Sequence, residues 1–393
     1  MVNYGKKGYD VIIVGGGVIG SSIAYHLFND GLDGTVAVLE KDPTYAYAST
    51  TLSLGGIRQQ FSTEINIRIC LYGIQAIEQF NEEMAVDEEP AHADYRAWGY
   101  LLLADEGNWV NLQKQYHLQR SLGVDVNLLT PEEVKDMIPH MNVEGLLGAS
   151  FGRRAGYMDP YGILRGYQRK AKSLGANFIH AKVVDILRRK DQVIGVRTSK
   201  GEELKGASVV IAAGAWTAEV GAMAGVKLPV EPTPQMVFCF DPAEKFNYDL
   251  PFTFDPQGQF VRHESGKQVL TGKDRHDDPS FRLDWDRKYF EEALWPRLSR
   301  LVPTFERLKL IRGWGGLYAV NKLDHNALLG AYPGLDGLYI AGGFSGHGLM
   351  QSPAVGKGMS ELIRNGRYET IDLSPLGVDR IFTGRRVLEE AVF

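Results

Sequence analysis

Three glycines and a glutamate near the start of the chain have types and spacing that point most directly to chemistry. Gly15, Gly17 and Gly20 form G-x-G-x-x-G, and Glu40 follows twenty residues after the last of them. Such a set grips a dinucleotide. Gly15 permits a tight turn, Gly17 lets the backbone approach a pyrophosphate, and Gly20 lets a helix pack closely on a strand. Glu40 can accept hydrogen bonds from both hydroxyls of an adenosine ribose, and it would repel the 2′-phosphate of NADP.

The glycines alone also fit a turn without a ligand, so the flanking elements decide. Val11-Ile12-Ile13-Val14 is a β-branched run suited to a strand buried on both faces. Ser21 to Phe28 continue as a helix whose positive end faces the phosphates. Thr35 to Leu39 form a second strand that ends at Glu40. Strand, turn, helix, strand and acid stand in the order a dinucleotide site requires.

The chain has 393 residues, which suggests two domains, and a net charge of −5 with no basic block. Nothing in that charge recruits nucleic acid or an anionic membrane. Two distant cysteines, Cys70 and Cys239, make neither a disulfide framework nor a metal motif. No apolar segment precedes the first strand, and no run is long enough to span a bilayer, so a cytoplasmic protein is expected.

Farther along, residues 46–62 are small and polar, and a long helix is expected near 63–84. The small residues at 48–56 fit either a segment lying against a planar ligand or a plain loop with a helix cap. Residues 94–149 hold a strand at 99–103, a helix near 107–122 and a helix opened by Thr130 and Pro131. Asp159-Pro160 starts a helix to Ser173, followed by strands at 176–180, 183–188, 192–198 and 208–212. The last of these runs into Ala213-Gly214-Ala215-Trp216, repeating the geometry of the first strand end.

Residues 226–333 turn to aromatic-rich alternation, with one helix near 284–300, which suggests an antiparallel sheet with one face over the ligand. Gly337 to Gly343 form another buried strand ending in glycines, then a helix is expected near 352–364, and 370–393 read as a tail with no motif. The chain thus returns to its first sheet twice, the layout of an FAD enzyme rather than of a contiguous NAD domain.

Four segments together resemble the D-amino-acid oxidase superfamily: VIIVGGGVIGSSIAYHL…VLEK, ASTTLSLGGIRQQFS, VVIAAGAW and GLYIAGGFSGHGLMQSPAVG. Within it the chain is most similar to the branch oxidising sarcosine, dimethylglycine, glycine and L-proline. The second and fourth segments look most like FAD oxidoreductases of the mitochondrial complex I assembly type. The resemblance implies an α/β Rossmann-like FAD-binding domain of glutathione-reductase type and a substrate domain on a mainly antiparallel sheet. The expected division is 1–90, 150–225 and 334–393 for the first, and 91–149 and 226–333 for the second.

Carried over residue by residue, Gly15, Gly17 and Gly20 meet the FAD pyrophosphate and Glu40 the ribose, with Val18, Ile19 and Lys41 also expected to bind the cofactor. Ser49, Thr50 and Thr51 line the pyrophosphate and flavin side of the loop. Val183 uses backbone groups against adenine, and Ala213, Gly214 and Trp216 pass near the cofactor. Gly343, Phe344, Ser345, Gly346, His347, Gly348, Leu349 and Met350 run beside the flavin, where helix-start N–H groups can stabilise the reduced ring.

The resemblance makes Arg58 the clamp for a substrate carboxylate; the plainer reading is a surface arginine capping the next helix. His347 reaches the flavin or substrate, or else only bonds backbone. Tyr318, Asn321, Tyr100, Gln60 and Gln235 are further polar candidates for the pocket, each also fit for a structural role, and Asp324 is expected to order its loop.

The chain departs from the family in several places. Met350 stands where sarcosine oxidases place a lysine, and Tyr318 where glycine oxidases place an arginine, so both supplementary cations are missing. Gly316 and Leu52–Gly56 replace the residues some relatives use to attach flavin covalently, so non-covalent FAD is expected. Leu270 approximates the oxygen-activating lysine, which leans toward a dehydrogenase, although Lys273 is nearby.

The expected activity is oxidation of an amino acid C–N bond by hydride transfer to flavin N5, giving an imine. The partners are a small amine or amino acid and an acceptor that is oxygen or a redox partner. The alternatives are oxidation of D-amino acids or 2-hydroxy acids, or a flavoprotein that mainly binds and assists a partner complex.

Overall fold

The computed structural model describes residues 8–274 and 279–390, apart from the side chain of Ser265. Residues 1–7 and 391–393 of the expected first domain, and 275–278 of the second, lie outside the described residues.

The chain opens with β1 (Tyr9–Val14), α1 (Val18–Asn29), β2 (Val36–Glu40), β3 (Gly56–Ile57), α2 (Glu64–Glu78) and α3 (Phe80–Glu83). It continues with β4 (Tyr100–Ala104), α4 (Trp109–Ser121), β5 (Val126–Leu129), α5 (Pro131–Met137), β6 (Gly148–Gly152) and β7 (Gly156–Tyr157). Then come α6 (Pro160–Ser173), β8 (Asn177–His180), β9 (Val183–Arg189), β10 (Gln192–Thr198), β11 (Glu203–Ile211) and α7 (Thr217–Met223). The next group is β12 (Val230–Pro242), β13 (Phe252–Phe254), β14 (Gln259–His263), β15 (Val269–Lys273), α8 (Arg287–Tyr289) and α9 (Trp295–Leu301). The last elements are β16 (Leu308–Asn321), β17 (Leu328–Ala331), β18 (Leu338–Gly342), α10 (Gly348–Asn365) and α11 (Arg380–Thr383).

Two eight-stranded sheets organise these elements. The first runs β17-β18-β11-β1-β2-β8, with β10 paired to β11 and β9 paired to β10. Its core is parallel, since β1 pairs with β2 and β11, β2 with β8, and β11 with β18. The β-branched run in β1 is buried on both faces, as such strands require. Ile13 packs with α1, α2, α6 and α10, and Ile12 with α7 and the β9–β10 hairpin.

The second sheet runs β16-β12-β15-β14-β13-β4-β6-β5, antiparallel except for β13 against β4. Alternation divides its faces. Phe238, Phe240 and Val261 pack under Phe290, Leu294 and Leu298, whereas Val237, Phe260 and Leu270 look the other way with Phe252 and Phe254. Sheet membership departs from the expected division at two places. β6 lies in the second sheet although the boundary at 150 cuts it, and β17 pairs in the first although it precedes 334.

Side-chain caps fix the starts of α5, α6 and α8. Thr130 accepts from the Glu133 N–H while the Glu133 side chain accepts from the Thr130 N–H, a complete capping box with Pro131 at the first position. Two helices differ from expectation. The one near 284–300 starts at Arg287 and passes through a π turn at 290–294 before α9. The one near 352–364 starts four residues earlier, at Gly348, because Pro353 sits inside α10 rather than at its start. That shift places the first turn of α10 at the site.

Candidate active site

A continuous cleft runs from the carboxyl ends of β1, β2, β11 and β18, at Val14, Leu39, Ala212 and Ala341, to the inner face of the second sheet at Val237, Phe252, Phe254 and Phe260. Ligands of open α/β sheets bind at that edge.

At the nucleotide end each glycine of the motif has a distinct steric reason. Gly15 has φ +108°, and a Cβ there would lie 2.4 Å from the Ala212 carbonyl oxygen. A Cβ on Gly20 would lie 2.0 Å from the Gly15 oxygen, so this residue serves helix–turn contact and does not line the cleft. Gly17 opens into the cleft, its nearest neighbour being Thr50 Oγ1 at 3.6 Å. The Val18 N–H donates to that Thr50 oxygen at 3.3 Å. Glu40 lines the cleft with its carboxylate fixed by the N–H groups of Gly16 and Asp42, both at 2.9 Å. The ammonium of Lys41 stacks 3.2 Å over the Trp216 ring, and burial lowers its pKa. Ile19, Ser49, Val183, Ala213 and Gly214 complete this wall.

The steric contrast between two glycines gives a prediction. Gly17→Val should keep the apo fold, with an unchanged unfolding midpoint, yet weaken FAD binding by about a hundredfold, because backbone N–H groups can no longer reach a phosphate. Titration of apoprotein with FAD, followed by flavin fluorescence, measures this. Gly20→Val should lose the fold itself.

Besides Gly20, two more expected cofactor residues lie off the cleft. Thr51 bonds the carbonyls of Tyr45 at 2.5 Å and Ala48 at 3.0 Å, closing the loop on itself, and does not line the cleft. Gly343 also lies off the cleft, with Val230 and Asn321 against the position of its missing side chain. Phe344, Ser345, Gly346, His347, Gly348, Leu349 and Met350 all line it, the last three forming the first turn of α10. The N–H groups of such a turn have no intrahelical acceptor and carry the positive end of the helix dipole.

At the far end Arg58 is 4% exposed and so is no surface cap. Its guanidinium donates to the Gln60 carbonyl and lies 4.1 Å over the Phe61 ring, which in turn meets His347 edge-on at 5.2 Å. Burial and the Arg58 charge push His347 down to about 3, so its imidazole is neutral across the working range. Tyr318 reaches the cleft because Gly346 leaves room for its ring; a Cβ there would lie 2.7 Å from it. Tyr100 and Gln235 line the cleft, whereas Gln60 instead ties β4 to β6 through Tyr100 O and Ser150. Asn321 is also structural: it bonds Asp324 at 3.1 Å and the Asn326 carbonyl at 2.6 Å. Asp324 does order its loop, accepting from the N–H groups of Asn326 and Val387 and from the wholly buried Arg380.

Asp274 is a cleft residue that the sequence reading passed over. It follows β15, hydrogen-bonds Tyr318, and feels the Arg58 charge. Its sequence surroundings, Lys273-Asp274-Arg275, look like an ordinary charged turn; only strand pairing reveals its place.

The sequence matches the FAD dependent oxidoreductase family over residues 10–362. The chain belongs to this family, known as DAO. It is 35% identical to the FAD-dependent oxidoreductase domain-containing protein 1 of Bos taurus, with 98% of this chain and 87% of that protein covered. It is 29% identical to glycine oxidase of Geobacillus kaustophilus, covering 95% and 97%. The L-proline dehydrogenase of P. horikoshii superposes with a TM-score of 0.88 at 28% identity, covering 97% and 100%.

The chain is therefore an FAD-dependent oxidoreductase, and its cleft fits the cofactor. The open Gly17 backbone and the fixed Glu40 carboxylate suit the adenosine diphosphate half, and the α10 start suits the flavin. No helix among the described residues is long and apolar enough to cross a membrane, and no group of His, Cys, Asp and Glu side chains there is arranged to hold a metal.

Proposed function

We propose that this DAO-family enzyme oxidises the C–N bond of an amino acid, with secondary or N-methylated amines of the sarcosine, dimethylglycine, glycine or proline type as substrates. The observation that carries the reading is Arg58, buried at the cleft wall among Phe61, Tyr100 and the aromatic face of the second sheet. A buried guanidinium at a cleft wall is a planar fork suited to a carboxylate. Relatives whose names specify sarcosine dehydrogenase, glycine oxidase and L-proline dehydrogenase support the substrate class.

Bound FAD supplies a two-electron acceptor at N5. The protein must orient the substrate and keep the site dry. Arg58 holds the carboxylate, Phe252, Phe254 and Phe260 exclude water from the carbon that loses hydride, and the neutral His347 adds no second charge. The first turn of α10 would offer its N–H groups to the reduced flavin, whose negative charge they would stabilise. The product imine hydrolyses after release. Leu270, at the approximate place of the oxygen-activating lysine, carries no charge, while Lys273 lines the cleft, so both oxygen and a redox partner stand as acceptors.

The test is anaerobic addition of sarcosine, dimethylglycine, glycine, L-proline or D-alanine to the purified yellow protein. Bleaching of the flavin bands by one of the first four is expected, and slow return of colour on admitting air marks a dehydrogenase. Bleaching by D-alanine alone would move the substrate class to primary D-amino acids. A flavin that none of them bleaches would favour a bulkier amine or a chiefly partner-binding flavoprotein.

A further inference from the structure

The substrate end of the cleft holds opposite charges on separate elements. Arg58 follows β3, and Asp274 follows β15. The other acids that line the cleft, Glu40, Asp42 and Glu219, sit at its nucleotide end with β2 and α7. Asp274 is held from β16 by the Tyr318 hydroxyl. It is faced by Tyr100 from β4 and by Arg58, with His347 near Arg58 at the start of α10; Lys273, the last residue of β15, also lines the cleft.

Burial governs the protonation of Tyr318, Tyr100, His347 and Asp274 itself. Burial and the Asp274 charge hold the Tyr318 phenol well above its ordinary value, so it donates to the carboxylate and is no base. Burial also raises Tyr100. His347 is held too low to take a proton from an amine. Burial pushes Asp274 up to about 7, against the opposing pull of Tyr318 and Arg58. A base is most effective when it titrates near the working pH.

An ammonium nitrogen has no lone pair and cannot assist departure of hydride from the neighbouring carbon. In water an alkylammonium group holds its proton to a pKa of about 10. A site that oxidises amines near neutrality therefore gains from an acceptor placed beside the nitrogen.

We propose that Asp274 takes the ammonium proton of the substrate, and that Arg58 and Asp274 together select a zwitterion. This rests on the amino-acid reading of the site given above. The substrate N–H bond breaks, its electron pair stays on nitrogen, and an O–H bond forms on Asp274. The electron pair of a C–H bond on a carbon bonded to that nitrogen then leaves as hydride to FAD, the oxidant, while the nitrogen lone pair closes the C=N bond. The proton on Asp274 passes to solvent after product release. Tyr318 is the positioning residue, because its hydroxyl fixes the carboxylate.

The test compares wild type, Asp274→Asn and Asp274→Glu holoenzymes of equal FAD content. Dissociation constants from perturbation of the flavin spectrum are measured for sarcosine against its carbon isostere butanoate, and for L-proline against cyclopentanecarboxylate. Wild type should prefer the amino acid, and Asp274→Asn should lose that preference by tenfold or more without weakening the plain carboxylates. The anaerobic flavin-reduction rate of wild type should rise with pH through an inflection near 7 that Asp274→Asn loses and Asp274→Glu keeps. If wild type is bleached but Asp274→Asn retains both the preference and the inflection, the role of Asp274 is overturned and the amino-acid reading stands. If no amino acid bleaches or binds to wild type, both are overturned.

Discussion

Arg58→Met lowers kcat/KM for the reactive amino acid by about 10²–10³-fold, most of it in KM, if the guanidinium grips the carboxylate. Truncating one partner of a buried, hydrogen-bonded charge pair costs about 2–5 kcal/mol, since the other charge is left without a partner. A thousandfold change corresponds to about 4 kcal/mol. The Phe61 ring under the guanidinium and the Gln60 carbonyl beside it fix the fork before substrate arrives. Arg58→Lys keeps the charge but not the planar fork, so an intermediate loss is expected. Steady-state kinetics normalised to bound flavin is the measurement. A variant with reduced stability but unchanged kcat/KM per flavin would make Arg58 structural.

The second large effect falls on stability. Arg380→Met should destabilise the fold by about 3–5 kcal/mol, because it strands a buried carboxylate. The Arg380 and Asp324 side chains are both wholly inaccessible, and Arg380 also donates to the carbonyls of Ala327 at 2.5 Å and Gly377 at 3.2 Å. For a chain of this size the unfolding midpoint should fall by roughly 4–6 °C. Adding Asp324→Asn should recover part of the loss, which a double-mutant cycle would read as coupling. FAD retention should fall as well. The loop that Asp324 orders carries Asn321, whose N–H donates to Ser345 Oγ at 3.0 Å in the cleft wall.

What could be read in the sequence was local. The turn from β1 into α1 and the position of Glu40 depend on neighbours within one supersecondary unit, and there spacing determines geometry. Where adjacent residues had similar chemistry, loop shape decided between them. Thr50 faces the Val18 N–H, whereas Thr51 turns back to Tyr45. The full length of β16 was hidden because Gly313, Gly315 and Gly316 erase the β-branched signal. Two of them are required by close approach, Gly315 to the Leu283 backbone and Gly313 to the Trp285 ring. Arg58 was visible only through resemblance, and Asp274 not at all, since the register of β15 and β16 against β12 brings it to Tyr318.

The parallel pairing of β1 with β11 also has a consequence in time. Roughly 190 residues separate the two strands, and at synthesis rates of about 5–20 residues per second β1 waits some 10–40 s for its inner neighbour to emerge from the ribosome. Through that interval Val11 to Val14 present an apolar strand with one edge open, a template for pairing with other nascent chains. The yield of native protein in cells should therefore depend on growth temperature and on chaperone supply far more than the stability of the finished fold would suggest.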